Sequence, residues 1–167
     1  MKKIIFLVLA FFAVTAASGQ TLQKFFDKYA DDERFQYVSI NNGLMNMASV
    51  LGGVAKEEKK MMSKMQNMKI LTLEGDTESS FVKSVFNELN TIVENGNFET
   101  VVEVREKGER VNIYYRIVGE NNADMLIITK EKGEFTCIWI KGKMTREEMM
   151  NSISSNQFEI DELSMLN

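Results

Sequence analysis

The sequence contains no histidine, no proline and one cysteine among its 167 residues. The absence of histidine removes the commonest general base and the commonest side-chain ligand for transition metals. Cys137 therefore has no histidine to activate it, and its place in a run that is apolar on both sides predicts a buried, inert thiol. The absence of proline is typical of a compact domain and argues against proline-rich linkers.

Positive charge is not in excess either. The 20 lysines and arginines are outnumbered by 24 aspartates and glutamates, so the formal net charge is −4. No basic stripe is present, and nucleic acid is not expected as a partner. The pairs Glu57-Glu58 and Glu147-Glu148 would point in different directions on a helix, which predicts solvated surfaces rather than acid–base pairs. Gly52-Gly53 lacks the flanking residues of a phosphate loop. The sequence thus predicts no catalytic, cofactor-binding or metal-binding residues.

The first 19 residues have the features of a secretory signal peptide. Two lysines precede a short apolar run (residues 4–14), and small residues follow it (16–19). The run is too short for a comfortable membrane span. Cleavage is expected after Gly19, with Ala17 as the alternative, and no cysteine follows that could carry a lipid anchor. We therefore expect an exported protein, periplasmic or secreted, with no transmembrane segment in its mature chain.

Four apolar runs follow one another in the second half of the chain and predict an antiparallel four-strand meander. The first two runs alternate apolar and polar residues, whereas the last two are apolar on both sides, which predicts central or covered strands. Lys-Gly joints link the first pair and the last pair, and we predict a type I turn with a glycine bulge at each. The runs are Phe98–Arg105, Arg110–Val118, Asp124–Lys130 and Glu134–Lys141.

The remaining residues predict helices and two further strands. Apolar spacing predicts helices over 22–30, 42–51, 55–68, 77–95 (capped by Asp76 or Thr77) and 145–153 (capped by Thr145), with strands over 35–40 and 69–73. The order predicts an α+β fold: a single two-layer domain over 20–153 with a mixed sheet of about six strands and helices mainly on one face. The two early strands are expected to lie parallel, because helices connect them. Residues 154–167 form an acidic C-terminal tail.

Methionine is the compositional peculiarity, with 12 residues. Met61, Met62, Met65 and Met68 would form one stripe on the predicted helix over 55–68, which is typical of core packing or of an adaptable contact surface. Thioethers also bind Cu(I), so a soft-metal site built from Met45, Met47 and that stripe is an alternative. The hypothesis of a partner surface fails if these side chains are buried within the domain. Its residues are Leu44, Met45, Met47, Met61, Met62 and Met65.

The whole predicted mature chain resembles a known family of exported bacterial domains, domain of unknown function 4252, and three features carry the resemblance most clearly. They are the hairpin Val104–Tyr114 with Arg-Glu-Lys-Gly-Glu at its turn, the long helix ending at Asn95, and the closing strand Ile138–Lys143. The resemblance implies the α+β fold and supplies no activity and no catalytic residues. Genes of that family are described near extracytoplasmic-function sigma factors and their antagonists, so the resemblance also implies a role in envelope signalling.

These observations support three hypotheses about function. The first is a non-enzymatic envelope protein whose small α+β domain binds another protein; export, the missing catalytic groups and the methionine-rich helices favour it. The second is a binder of an apolar small molecule or a soft metal ion, for which a closed pocket lined by Met and Phe is expected. The third is a small enzyme that works without histidine, through Ser, Lys, Tyr or carboxylates converging in one cleft. The sequence leaves the oligomeric state open.

Overall fold

The computed structural model describes residues 21–43, 63–145 and 147–148. They form an α+β arrangement with one sheet of six antiparallel strands. The predicted signal peptide, residues 44–62 and the predicted acidic tail lie outside the described residues. The elements are α1 (21–30), β1 (Gln36–Asn41), β2 (Met65–Glu74), α2 (Ser80–Asn95), β3 (Glu99–Glu106), β4 (Glu109–Val118), β5 (Asn122–Glu131) and β6 (Glu134–Gly142).

The strand order is β1-β2-β6-β5-β4-β3, and every neighbouring pair is antiparallel. The α+β class and the six strands are confirmed, but the predicted mixed sheet is wrong. Gln36 lies opposite Thr72 and Asn41 lies opposite Asn67, so β1 and β2 are antiparallel. The reason is that β2 starts at Met65, close to the end of β1. The chain therefore re-enters the sheet at the end it left and needs no crossover.

The first residues of β2 correct the predicted helix over 55–68. Met65 and Met68 belong to the strand, where Met65 pairs with Gly142 and Met68 with Ile140. A β-bulge lies between Met65 and Asn67. Because the extra residue breaks the period of two, both methionines point to the same side of the sheet although they are three residues apart. That spacing is also the spacing of a helix face, which is why the sequence suggested a helix.

A second bulge alters β3. Thr100 lies opposite Tyr114 and Val102 lies opposite Ile113, so the two residues point to different faces. The predicted alternation of β3, which placed Thr100 and Val102 on the same face, is therefore wrong at this bulge. The turn between β3 and β4 also differs from the prediction, because φ is positive at both Lys107 (47°) and Gly108 (92°). That is the signature of a type I′ turn, whose twist matches the strands of a two-residue hairpin.

Helix α2 begins later than predicted. Its N-cap is Ser79, whose hydroxyl accepts a hydrogen bond from the amide of Val82 at 3.3 Å. Asp76 accepts the amide of Glu78 in the preceding turn, and the Thr77 hydroxyl donates to the carbonyl of Glu131. The helix ends at Asn95 as predicted. Asp76 and Thr77 thus hold the turn that leads from β2 into α2 and do not cap the helix.

Helices α1 and α2 share one hydrophobic core with one face of the sheet, called here the helix face. Trp139 and Phe26 are both almost fully buried in it, with ring centroids 5.5 Å apart. Cys137 is confirmed as buried, and burial raises the pKa of its thiol. The buried core residues are Leu22, Phe25, Phe26, Tyr29, Phe35, Leu71, Leu73, Val82, Val85, Leu89, Ile92, Leu126, Ile128, Phe135, Cys137 and Trp139.

Candidate interaction surface

The side of the sheet away from α1 and α2, called here the second face, carries side chains in rows that run across the strands. Strand residues alternate between the two faces, and residues directly opposite in neighbouring strands share a face. The pairing register therefore fixes which side chains stand side by side. Two rows of the second face differ sharply in chemistry, and one row that includes Thr72, Thr136 and Thr129 lies between them.

The first, the aliphatic row, consists of branched aliphatic side chains alone. It has one member on each of the six strands, and each member is paired with the next. β-Branched residues pack well on a pleated surface, which explains why the sequence can keep this composition across the whole sheet. In strand order the row is Val38, Ile70, Ile138, Ile127, Ile113 and Val102.

The second, the glutamate row, borders the same face where β2 ends and the hairpin turns lie. Glu74 is paired with Glu134, Glu134 with Glu131, and Glu106 with Glu109. All five side chains are exposed. Like charges directly opposite each other destabilise a sheet. Within the described residues the row has one ion-pair partner, Lys107, at 3.6 Å from Glu106. The second face therefore combines an apolar centre with an acidic border.

Part of the second face is open to solvent. Val38 is 47% exposed, and Val104 and Ile117 are each 42% exposed. These are three of the four exposed large hydrophobic side chains in the described part of the chain. They lie on β1, β3 and β4, towards the two edges of the sheet. Val38 belongs to the aliphatic row and Val104 stands one level from it, whereas Ile117 lies two levels away.

The end of the second face opposite the glutamate row is closed by the chain itself. After β6, Met144 is buried in a cluster with Tyr115 and Ala123, both of which lie on the second face. A Cβ atom on Gly142 would stand 2.9 Å from Met144 Cε and 3.1 Å from the carbonyl oxygen of Lys64. Only glycine allows this close approach. The chain therefore passes from β6 onto the second face.

Thr145 and Glu148, which follow β6 in the sequence, form a capping box, in agreement with the prediction that Thr145 is a helix cap. The amide of Glu148 donates to the hydroxyl of Thr145 at 3.3 Å, and the amide of Thr145 donates to the carboxylate of Glu148 at 3.1 Å. The same carboxylate accepts a hydrogen bond from Lys64. Lys64 is thus tied to Glu148 by its side chain and to the amide of Lys143 by its carbonyl at this end of the sheet.

Of the six residues predicted as a partner surface, the structure describes one. Met65 is half-buried and pairs with Gly142 of β6. On its other side Gly142 pairs with Ala123 of β5, which points to the second face. Met65 therefore lies on the second face, on a strand and not on a helix. The aliphatic row was missed at the sequence level, although runs apolar on both sides indicated it. The predicted residues outside the description are Leu44, Met45, Met47, Met61 and Met62.

The described residues offer little for metal chemistry. No group of three or more His, Cys, Asp or Glu side chains among them is arranged to hold a metal ion. In this same part of the chain no helix is long and apolar enough to cross a membrane. The buried charged residues Arg116 and Asp124 bind each other.

The sequence matches the family model described as domain of unknown function (DUF4252) over residues 29–152. The chain belongs to the DUF4252 family. The match spans the whole described sheet and α2, and it confirms the resemblance found in the hairpin, the long helix and the closing strand.

No curated protein matches this DUF4252 chain. Among solved structures it is similar to the solution structure of cyanobacterial PsbP (CyanoP) from Synechocystis sp. PCC 6803, with 12% sequence identity and a TM-score of 0.35. That alignment covers 80% of the DUF4252 chain and 88% of CyanoP. A likeness at this level carries no functional argument.

Proposed function

We propose that this DUF4252 protein is a non-enzymatic binding module that docks a protein partner on the second face of its sheet. The observation that carries the proposal is that the aliphatic row and the glutamate row lie on the same face of the sheet, two levels apart. An apolar centre with an acidic border is complementary to a segment that presents apolar side chains together with lysine or arginine. The partner is therefore a protein with an amphipathic, basic segment.

The exposed apolar side chains on the two edge strands supply affinity in this proposal, and the acidic border supplies orientation. Covering a fully exposed Val or Ile side chain contributes about 1.5–3 kcal/mol, so the half-exposed Val38 and Val104 would each contribute roughly 1 kcal/mol. Charges at the rim of an interface act more on the association rate and on partner choice than on affinity. The glutamate row would thus select basic segments over acidic ones.

The methionine-rich residues extend the proposed surface. Met65 lies on the second face, and Met68 stands in the next row, between Ile40 and Ile140. Flexible thioether side chains adapt to differently shaped partners. We infer that Leu44, Met45 and Met47, which follow β1 in the sequence, and Met61 and Met62, which precede β2, belong to the same contact surface.

We also propose that the protein acts outside the cytoplasm, in the cell envelope or secreted. The support is the sequence of the first 19 residues, with its lysines, apolar run and small residues. Mass spectrometry of the mature protein from fractionated cells tests this. A first residue of Gln20, or of Ser18 after cleavage at the alternative position, agrees with export; a cytoplasmic protein that keeps its first 19 residues contradicts it.

Site-specific photo-crosslinking tests the docking surface. A photoreactive amino acid is placed at Val38, which points to the second face, and in a matched variant at Ser39, which is exposed on the helix face of the same strand. A second pair uses Val104 and Arg105 on β3. Crosslinking is carried out in the cells that express the protein, and the products are identified by mass spectrometry.

A heterologous protein captured from Val38 and Val104, but not from Ser39 and Arg105, supports the proposal when the crosslinked peptide carries apolar residues and Lys or Arg. Crosslinks from Val38 and Val104 that lead only to residues 44–62 of the same chain, with no heterologous product, would show that the chain covers its own second face. Crosslinks to a second copy would show self-association. Either of these two results, like equal capture from both faces, overturns the proposal.

A further inference from the structure

The helix face of the sheet carries a groove that the proposed function does not use. It lies between α2 and the β3–β4 hairpin and has a volume of about 500 Å³. Phe86, Asn87 and Asn90 line it from α2, and Arg110 lines it from β4. Gly108 in the hairpin turn and Lys130 on β5 complete the walls. The lining mixes charged and amide side chains with the apolar Val82 and Phe86, whereas a pocket lined by Met and Phe was expected for an apolar ligand.

Three cations stand in a row beside this groove. Arg105, Arg110 and Lys130 lie directly opposite one another on β3, β4 and β5. Like charges at directly opposed positions destabilise a sheet, so each needs an anion nearby. The two outer cations have one: Arg105 pairs with Glu103, and Lys130 pairs with Glu78.

The middle cation differs from its neighbours. Within the described residues the guanidinium of Arg110 makes no ion pair and no side-chain hydrogen bond. Its carbon Cζ lies 5.9 Å from the centroid of the Phe86 ring, so the cation stands beside an aromatic wall of the groove. Arg110 is therefore the cation of the row that has no anion of its own in this part of the chain.

Glu78 does not compensate for Arg110, because it already serves two lysines. It pairs with Lys130 and lies 3.4 Å from the ammonium of Lys83, which also lines the groove. The hydrogen bond from Lys130 is the main cause that lowers the pKa of Glu78, and Lys83 acts in the same direction. One carboxylate thus faces three cations along the groove, which leaves two positive charges in excess.

We propose that this groove binds a small organic anion whose carboxylate or phosphate contacts Arg110 and whose apolar body lies against Phe86. Guanidinium groups bind oxyanions through two parallel hydrogen bonds. The amides of Asn87 and Asn90 offer further donors on the α2 side. The proposal does not rest on the docking of a protein, because the groove and the second face lie on opposite sides of the sheet.

Amide chemical shifts in a ¹⁵N-labelled protein provide the test, with benzoate and phenyl phosphate as probes. Benzamide is the uncharged counterpart of benzoate, and inorganic phosphate lacks the ring. We expect benzoate, phenyl phosphate or both to shift the amide signals of Phe86, Asn87 and Gly108 in a saturable way. Benzamide and inorganic phosphate should bind at least about tenfold more weakly, since each lacks one of the two contacts.

Variants connect the signal to the proposed contact. Arg110→Gln should weaken binding of the anionic probe about tenfold, whereas Arg105→Gln, the neighbouring cation outside the groove lining, should leave it unchanged. Lys83→Gln provides a second groove variant at an exposed helix position and should weaken binding to a smaller extent. Thermal unfolding followed by Trp139 fluorescence checks that each variant is folded.

Each possible result either supports or overturns the proposed anion site. Tighter binding of benzoate than of benzamide, lost in Arg110→Gln and kept in Arg105→Gln, supports the anion site. Preference for phenyl phosphate over benzoate assigns the oxyanion as a phosphate monoester. The proposal is overturned if benzoate binds no more tightly than benzamide and phenyl phosphate no more tightly than inorganic phosphate, if the shifts persist in Arg110→Gln, or if neither anion gives a saturable shift. None of these results depends on whether a protein docks on the second face.

Discussion

Arg116 and Asp124 face each other across β4 and β5 and form a buried ion pair that also holds the end of α2. Arg116 donates to Asp124 Oδ2 through Nε at 2.9 Å and Nη2 at 2.6 Å, and through Nη1 to the carbonyl of Gly96 at 3.2 Å. Their side chains are 6% and 7% exposed. The pair thus links the sheet to the residue that ends the long helix.

Removing one member of this pair is expected to be costly. Asp124→Ala leaves the guanidinium of Arg116 buried without its carboxylate, and we expect it to lower the free energy of unfolding by about 3–5 kcal/mol. Arg105→Gln breaks the exposed pair with Glu103 and should change it by less than about 1 kcal/mol. Denaturant unfolding followed by the fluorescence of Trp139, the only tryptophan, measures both. If both variants lost the same free energy of unfolding, burial of the ion pair would not determine its contribution to stability.

Gly96 is expected to tolerate no side chain. A Cβ atom there would stand 2.5 Å from the carbonyl oxygen of Ile92 and 2.9 Å from the Phe98 ring. Gly96→Ala must shift the helix end, and we expect a loss of about 1–3 kcal/mol in the free energy of unfolding. Gly43→Ala, whose Cβ would meet its nearest neighbour at 3.4 Å, is the control and should stay within about 0.5 kcal/mol of the wild type.

Asp32 makes stability depend on pH at the α1–β1 turn. Side-chain hydrogen bonds from Arg34, followed by that of its amide, lower the pKa of Asp32 from 3.8 to about 2. The lowered pKa stabilises the folded state above pH 3.8, and this contribution is lost as pH falls through about 2. Asp32→Asn should therefore flatten the fall of the unfolding temperature over this interval. Asp31→Asn, at an exposed neighbour without an ion pair among the described residues, should keep the wild-type slope.

Cys137 is expected to stay unreactive while the protein is folded. Its thiol is buried, and burial raises its pKa, so thiolate is scarce even near pH 8.5, where a free cysteine is half ionised. A maleimide reagent should modify the denatured protein rapidly and the folded protein only at the rate of unfolding. Ser39→Cys adds an exposed thiol on β1, and that thiol should react at once. Rapid labelling of Cys137 in the folded wild type would contradict the packing described for β6.

The sequence predicted the elements whose signals are local. The alternating or wholly apolar runs located β3 to β6, the apolar spacing located α2 and its end at Asn95, and the double-sided apolar runs identified β5 and β6 as central strands. Each of these signals depends on residues within one element, where period and composition agree. The burial of Cys137 followed from the same double-sided pattern.

The errors came from features that depend on distant residues or on one inserted residue. The bulge after Met65 gave a strand the residue spacing of a helix. Ser79 and not Asp76 or Thr77 caps α2, because Asp76 accepts the amide of Glu78 and Thr77 donates to the carbonyl of Glu131 in the preceding turn. The glutamate row could be foreseen only within each hairpin. Its continuation to Glu74 depends on β2 pairing with β6, which no local pattern specifies.

The alternation of charge along the hairpins makes the sheet an electric dipole through its own thickness. Arg105 and Glu106, Glu109 and Arg110, and Lys130 and Glu131 are neighbours in sequence, yet they point to opposite faces. A molecule approaching this end meets negative potential from one side and positive potential from the other, and is turned before it makes contact. A basic segment and a small anion are thus drawn to different faces and need not compete, and added salt would slow the arrival of both.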